Sequence, residues 1–118
     1  MGRFSSSPAG SEGEPNWIPN TDIYISEDGH LIIEVELAGL DRESIELTVE
    51  NGRVKIHGHR SDGGRRRRCK YLAAKLYYGP FESIAEVPPG YDLNAAKAAY
   101  HNGLLRIDVP KSTGRVSS

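Results

Sequence analysis

Polar and apolar residues alternate with a period of two, and not of 3.6, through the middle of this chain. From His30 to Leu37, Leu31, Ile33, Val35 and Leu37 fall on one side of an extended segment and Glu34 and Glu36 on the other, the mark of a half-buried strand. The pattern returns in Ile45, Leu47 and Val49 against Glu46, Thr48 and Glu50, and in Val54 and Ile56 against Arg53, Lys55 and His57. Asn51-Gly52 separates these two runs. Asn-Gly favours a two-residue type I′ hairpin turn, in which both central residues need positive φ. Counting outward sets Glu50 opposite Arg53, Val49 opposite Val54, Thr48 opposite Lys55, Leu47 opposite Ile56 and Glu46 opposite His57. Apolar pairs then share one face and polar pairs the other, each worth about 0.2–1 kcal/mol, and a slip of one residue would lose both sets.

Asn102-Gly103 predicts a second hairpin, joining Ala96–His101 to Leu104–Val109, with Tyr100 opposite Leu105, Ala98 opposite Ile107 and Lys97 opposite Asp108. Two further strands are expected: Asp22–Ser26 ahead of Glu27-Asp28-Gly29, and Phe81–Val87 ahead of Pro88-Pro89-Gly90. Tyr71-Leu72 reads as one more short strand. The Ala-rich stretch 95–99 competes as a helix, but the Asn-Gly turn after it favours a strand. Short strands broken by turn residues predict an all-β, antiparallel, immunoglobulin-like β-sandwich.

A length of 118 residues, 37% of them hydrophobic, sustains one core and excludes a two-lobed enzyme with an interdomain cleft. Residues 1–16 hold little apolar surface and read as a flexible arm, 17–111 as the ordered domain, 61–70 as a basic loop within it, and 112–118 as a short polar tail. No apolar run suggests a membrane span or signal peptide, and a single cysteine fits a reducing compartment, so the expected location is the cytoplasm. Met1-Gly2 followed by Ser6 satisfies a short myristoylation pattern and is read as coincidence.

Charge changes the picture more than composition does. The net charge is only −1, yet residues 1–50 carry eleven acids against two bases, and residues 51–75 carry nine bases against one acid. A dipolar chain of this kind can dock on something acidic, including its own partner subunit.

Candidate chemistry is sparse. Arg65, Arg66, Arg67 and Arg68 with Lys70 make a local positive field that could bind RNA or another anion, but few aromatics accompany it, and a solvated or dimer-docking loop is the preferred reading. Cys69 lies between Arg68 and Lys70, which favour its thiolate, making it a candidate redox residue. His57 and His59 share a face at a spacing that can chelate, but two ligands are not a site, and no metal is expected. No nucleophile–base or paired-carboxylate constellation is visible, so neither an enzyme nor a cofactor is expected.

Several residues together resemble the small heat-shock protein (α-crystallin domain, Hsp20-like) family. Its C-terminal signature, A-x-x-x-N-G-x-L followed by Pro-Lys, matches Ala98, Asn102, Gly103, Leu105 and Pro110-Lys111. Trp17-x-Pro19 before Asp22-Ile23-Tyr24, Glu36-Leu37-x-Gly39, Ile56-x-Gly58, and Tyr78-Gly79-x-Phe81 with the later Pro88 extend the likeness over residues 17–111. The resemblance implies an ATP-independent holdase that binds unfolding proteins, and a homodimer or small homo-oligomer in which a loop strand crosses to the partner's first strand. On this chain the implied dimer interface is Asp22, Tyr24, Arg65, Arg66, Arg67, Arg68, Tyr71 and Leu72, and the implied client or partner groove is Leu47, Val49 and Ala98. Lys75, Leu76 and Ser83 stand where the family commonly has dimer-pairing charges. The C-terminal I-x-I/V anchor has no match, and the arm is short, which together point to a small assembly and a weaker or specialised chaperone. The alternatives are a p23-like chaperone adaptor, or an RNA- or anion-binding module using the arginine loop.

Overall fold

The computed structural model describes residues 15–64 and 69–113, so Arg65–Arg68 and most of the arm and tail readings lie outside the described residues. Seven strands build two antiparallel sheets: β1 (Thr21–Ile25), β2 (Leu31–Glu36), β3 (Ile45–Glu50), β4 (Arg53–Arg60), β5 (Gly79–Glu86), β6 (Lys97–His101) and β7 (Leu104–Val109). One sheet has the order β1-β2-β7-β6 and the other β3-β4-β5. The only helical pieces among the described residues are single 3-10 turns at Arg42–Ser44 and Leu93–Ala95.

Both Asn-Gly hairpins take the expected form. Asn51 (φ 54°) and Gly52 (φ 74°), like Asn102 (φ 53°) and Gly103 (φ 81°), have positive φ at both central positions. The β3–β4 register is the one counted from the turn, from Glu50 opposite Arg53 to Glu46 opposite His57. The β6–β7 pair likewise sets Lys97, Ala98 and Tyr100 against Asp108, Ile107 and Leu105. The first strand begins one residue before the expected start, and β5 begins at Gly79, because Gly79 and Pro80 still pair with Arg60 and His59. Tyr71-Leu72 is not a strand in the single chain. A strand needs a neighbour to supply its hydrogen bonds, and no ladder among the described residues includes this segment.

The core lies between the sheets. Leu31, Ile33, Val35 and Leu37 meet Ile45, Val54, Ile56, Phe81, Ala85, Leu105, Ile107 and Val109, with Trp17 closing one end. Alternation accounts for all of these except Trp17 and one further buried residue, Ile32, which faces away from the core yet is wholly buried. It sits between Tyr24 and Asp108 in the sheet register, at the level of the His30–Asp108 contact (2.5 Å). The two sheets are also tied directly at one edge: Thr21 Oγ1 and Ser83 Oγ lie 3.0 Å apart, and Ser83 is the one buried polar residue among those described.

Candidate client and partner surfaces

The first strand is the edge of the four-stranded sheet, pairing only with β2. Ile23 and Ile25 share the parity of the buried Ile33 and Leu31, their register partners, yet are 46% and 59% exposed. The facing sheet has one strand fewer and leaves this flank partly uncovered. Asp22 and Tyr24 point to the other face, where Arg106 Nη1 donates to the Tyr24 hydroxyl at 3.4 Å and approaches Glu34 at 3.5 Å. With Glu27 and Asp28 in the following turn, the edge is apolar on one side and acidic on the other. An unpaired edge of this kind is a template for an added strand.

Asp28 is held in that turn by the Ser26 hydroxyl, which donates to its carboxylate and is the main reason the Asp28 pKa lies below the ordinary carboxylate value; desolvation opposes this, and the His30 backbone and ring add lesser lowering effects. A carboxyl whose pKa is lowered on folding contributes stability above its unfolded value and loses it as pH falls through the folded value. Amides of the β1–β2 turn are therefore expected to lose hydrogen-exchange protection below about pH 4, and Asp28→Asn to remove that pH dependence. An unchanged titration in the variant would contradict this role.

The loop segment after residue 68 carries the other half of the predicted interface. Tyr71 is 43% and Leu72 94% exposed, and Leu76, one of the departures from the family pattern, is 67% exposed. Within one chain the structure does not bring these residues onto β1. Cys69 is an exposed free thiol.

The groove residues lie on two of the three remaining edge strands, β3 and β6; the third is β5. Leu47 and Ala98 are half-buried against the core with Ala96 and Tyr100, whereas Val49 is 53% exposed. The Tyr100 hydroxyl donates to the Leu37 carbonyl and receives the Leu40 N–H at 3.4 Å, fixing the chain that leaves β2. His57 does not pair with His59. It lies 3.5 Å from Glu46 and 3.3 Å from the Thr48 hydroxyl, and the described residues contain no cluster of three or more potential metal ligands.

Sequence reasoning missed one cluster. Arg60 follows Val54, Ile56 and Gly58 on the inward parity of β4, and a charge at that parity was the available signal. Its Nε and Nη2 donate to the Tyr77 carbonyl at 2.9 and 2.6 Å, its Nη1 donates to the Ala38 carbonyl at 3.2 Å, and its guanidinium lies 4.3 Å from the Trp17 ring centroid.

The described residues thus form a two-sheet antiparallel sandwich with an outer β1 edge that is apolar on one side and acidic on the other, beside a loop segment that exposes Leu72. The chain belongs to the Hsp20/alpha crystallin family, whose family model matches residues 23–118. It is 32% identical over 108 residues to small heat shock protein C2 of Rickettsia felis, covering 92% of this chain and 70% of that one. It is 31% identical over 110 residues to small heat shock protein IbpB of Pectobacterium carotovorum, covering 91% and 68%. Among solved structures, hspA from Xanthomonas axonopodis superposes with a TM-score of 0.73 at 28% identity, over 81% of this chain and 95% of that one. Membership supports a chaperone role in a family whose members are generally non-enzymatic, and it gives no support to the adaptor or anion-binding alternatives. No helix among the described residues is long and apolar enough to cross a membrane.

Proposed function

We propose that the chain is an ATP-independent holdase that binds unfolding proteins and limits their aggregation, acting in the cytoplasm as a strand-exchanged homodimer or small homo-oligomer. The observation that carries this reading is the presence in one domain of an outer β1 edge that pairs only with β2 and a loop segment in which Leu72 is 94% exposed. A partner's loop laid along β1 would satisfy the free edge and bury Ile23, Ile25 and Leu72 together. The half-buried Leu47 and Ala98 with the exposed Val49 provide a second apolar surface for extended client segments.

Light scattering from a heat-unfolding client enzyme tests the activity. Near-equimolar protein, without nucleotide, is expected to suppress most of the scattering, and Val49→Asp to weaken the suppression without lowering the protein's own thermal midpoint. No suppression at any ratio would overturn the holdase reading. An RNA mobility shift that is lost on Arg65–Arg68→Ala would favour the anion-binding alternative.

A further inference from the structure

We propose that Arg60 is a positioning residue that couples the two flanks of the domain, the N-terminal segment through Trp17 and the long loop through Tyr77, so that holding either flank on the sheet strengthens the hold on the other. Neither flank has a ladder of its own. Trp17 makes one isolated parallel bridge to Phe81, supported by Asn16 N–H to the Pro80 carbonyl at 2.7 Å and Glu82 N–H to the Trp17 carbonyl at 3.2 Å. Residues 73–78, on the loop's return, form no strand.

What joins them is a stack. Trp17 lies nearly parallel to Tyr77, with centroids 6.1 Å apart and planes at 17°, tilts onto Phe81 at 5.3 Å, and donates its indole N–H to the Gly79 carbonyl at 3.2 Å. The Arg60 guanidinium lies over Trp17, stands 5.4 Å from the Tyr78 ring centroid, and donates to the Tyr77 and Ala38 carbonyls. Its acceptors among the described residues are neutral carbonyls and ring faces rather than carboxylates, so its placement depends on contacts with both flanks. Removing Tyr77 strips the guanidinium of its two shortest hydrogen bonds and weakens its hold on Trp17. Linkage requires the converse, that release of Trp17 weakens the hold on Tyr77 by the same factor. If the loop crosses to a partner as proposed above, this coupling makes seating of the N-terminal segment responsive to assembly.

Trp17 is the only tryptophan, so intrinsic fluorescence reports this one ring. Chymotrypsin cleavage after Tyr77 and Tyr78 under native conditions reports the loop. Arg60→Met is expected to shift Trp17 emission to the red, raise its quenching by acrylamide, and accelerate cleavage about tenfold, with Arg60→Lys intermediate in all three. Trp17→Phe and Trp17→Ala, which change the N-terminal flank together with its stack on Tyr77, are expected to accelerate the same cleavage by about two- to tenfold in that order. Circular dichroism identifies any variant that fails to fold; Arg60→Lys and Trp17→Phe, the mildest changes, then decide. The coupling is overturned if Arg60 variants move one readout and leave the other unchanged, or if both Trp17 variants are cut at the wild-type rate. Sedimentation of the same proteins separates the readings: coupled flanks in a monomer would refute only the strand-exchange reading, and independent flanks in a dimer only the coupling.

Discussion

Gly58→Ala is expected to destabilise the domain by about 3 kcal/mol or more and to lower its thermal midpoint by about 15 °C. A Cβ at Gly58 would lie 2.1 Å from the Ser44 carbonyl oxygen and 2.9 Å from the Phe81 ring. The first contact is with backbone, in the segment where the 3-10 turn hands over to β3, and Ser44 N–H is itself bonded to Asp41. The second is with a core residue that is 1% exposed. Neither neighbour can give way without parting β4 from the turn that packs on it. Gly52→Ala provides the contrast: its φ of 74° is strained for alanine, but the added Cβ meets only the Val87 carbonyl at 3.7 Å. That strain alone costs about 1–2 kcal/mol. Thermal unfolding followed by circular dichroism is expected to rank Gly58→Ala well below Gly52→Ala, and equal losses would show that the clash is absorbed.

Reversing the four loop arginines, Arg65–Arg68→Glu, is expected to weaken the proposed dimer about a hundredfold at low ionic strength. The first fifty residues carry eleven acids, and Asp22, Glu27 and Asp28 stand exposed along and just beyond the β1 edge that the loop is proposed to reach. Screening lengths fall to about 3 Å at 1 M salt, so wild type and variant are expected to converge there, the wild type weakening as salt is added. Sedimentation equilibrium at two ionic strengths measures both effects. Equal dimer affinities for the two proteins at low salt would remove the charge-docking idea. A wild type that stays monomeric throughout would remove strand exchange itself.

The residues that made the fold legible are those whose surroundings are set by their neighbours in sequence. Asn51-Gly52 and Asn102-Gly103 fix positive φ locally, and each turn fixes its hairpin register, because pairing is then only a matter of counting. The candidate surfaces were legible to a lesser degree. Leu47, Val49 and Ala98 look alike as apolar strand positions, yet burial separates Val49 from the other two, since burial depends on what the opposite sheet covers. Ser83, set apart in the sequence as a departure from a family arginine, is a buried partner of Thr21 that ties the sheets together. Arg60 and Trp17 are 43 residues apart in sequence and meet only because β4, β5 and the N-terminal segment converge at one corner.

By itself, then, the sequence determined the strands, the two tight turns, the registers they impose and the segregation of charge, all of which arise from interactions within a few residues or across a single hairpin. Only the tertiary structure decided which strands became edges, that a three-stranded sheet leaves Ile23 and Ile25 of a four-stranded one uncovered, that Ile32 is buried on the outer face, and that a guanidinium stacks on the domain's single tryptophan. Those outcomes depend on how two sheets of unequal width meet, a long-range packing problem to which the period-two pattern along any one strand is blind.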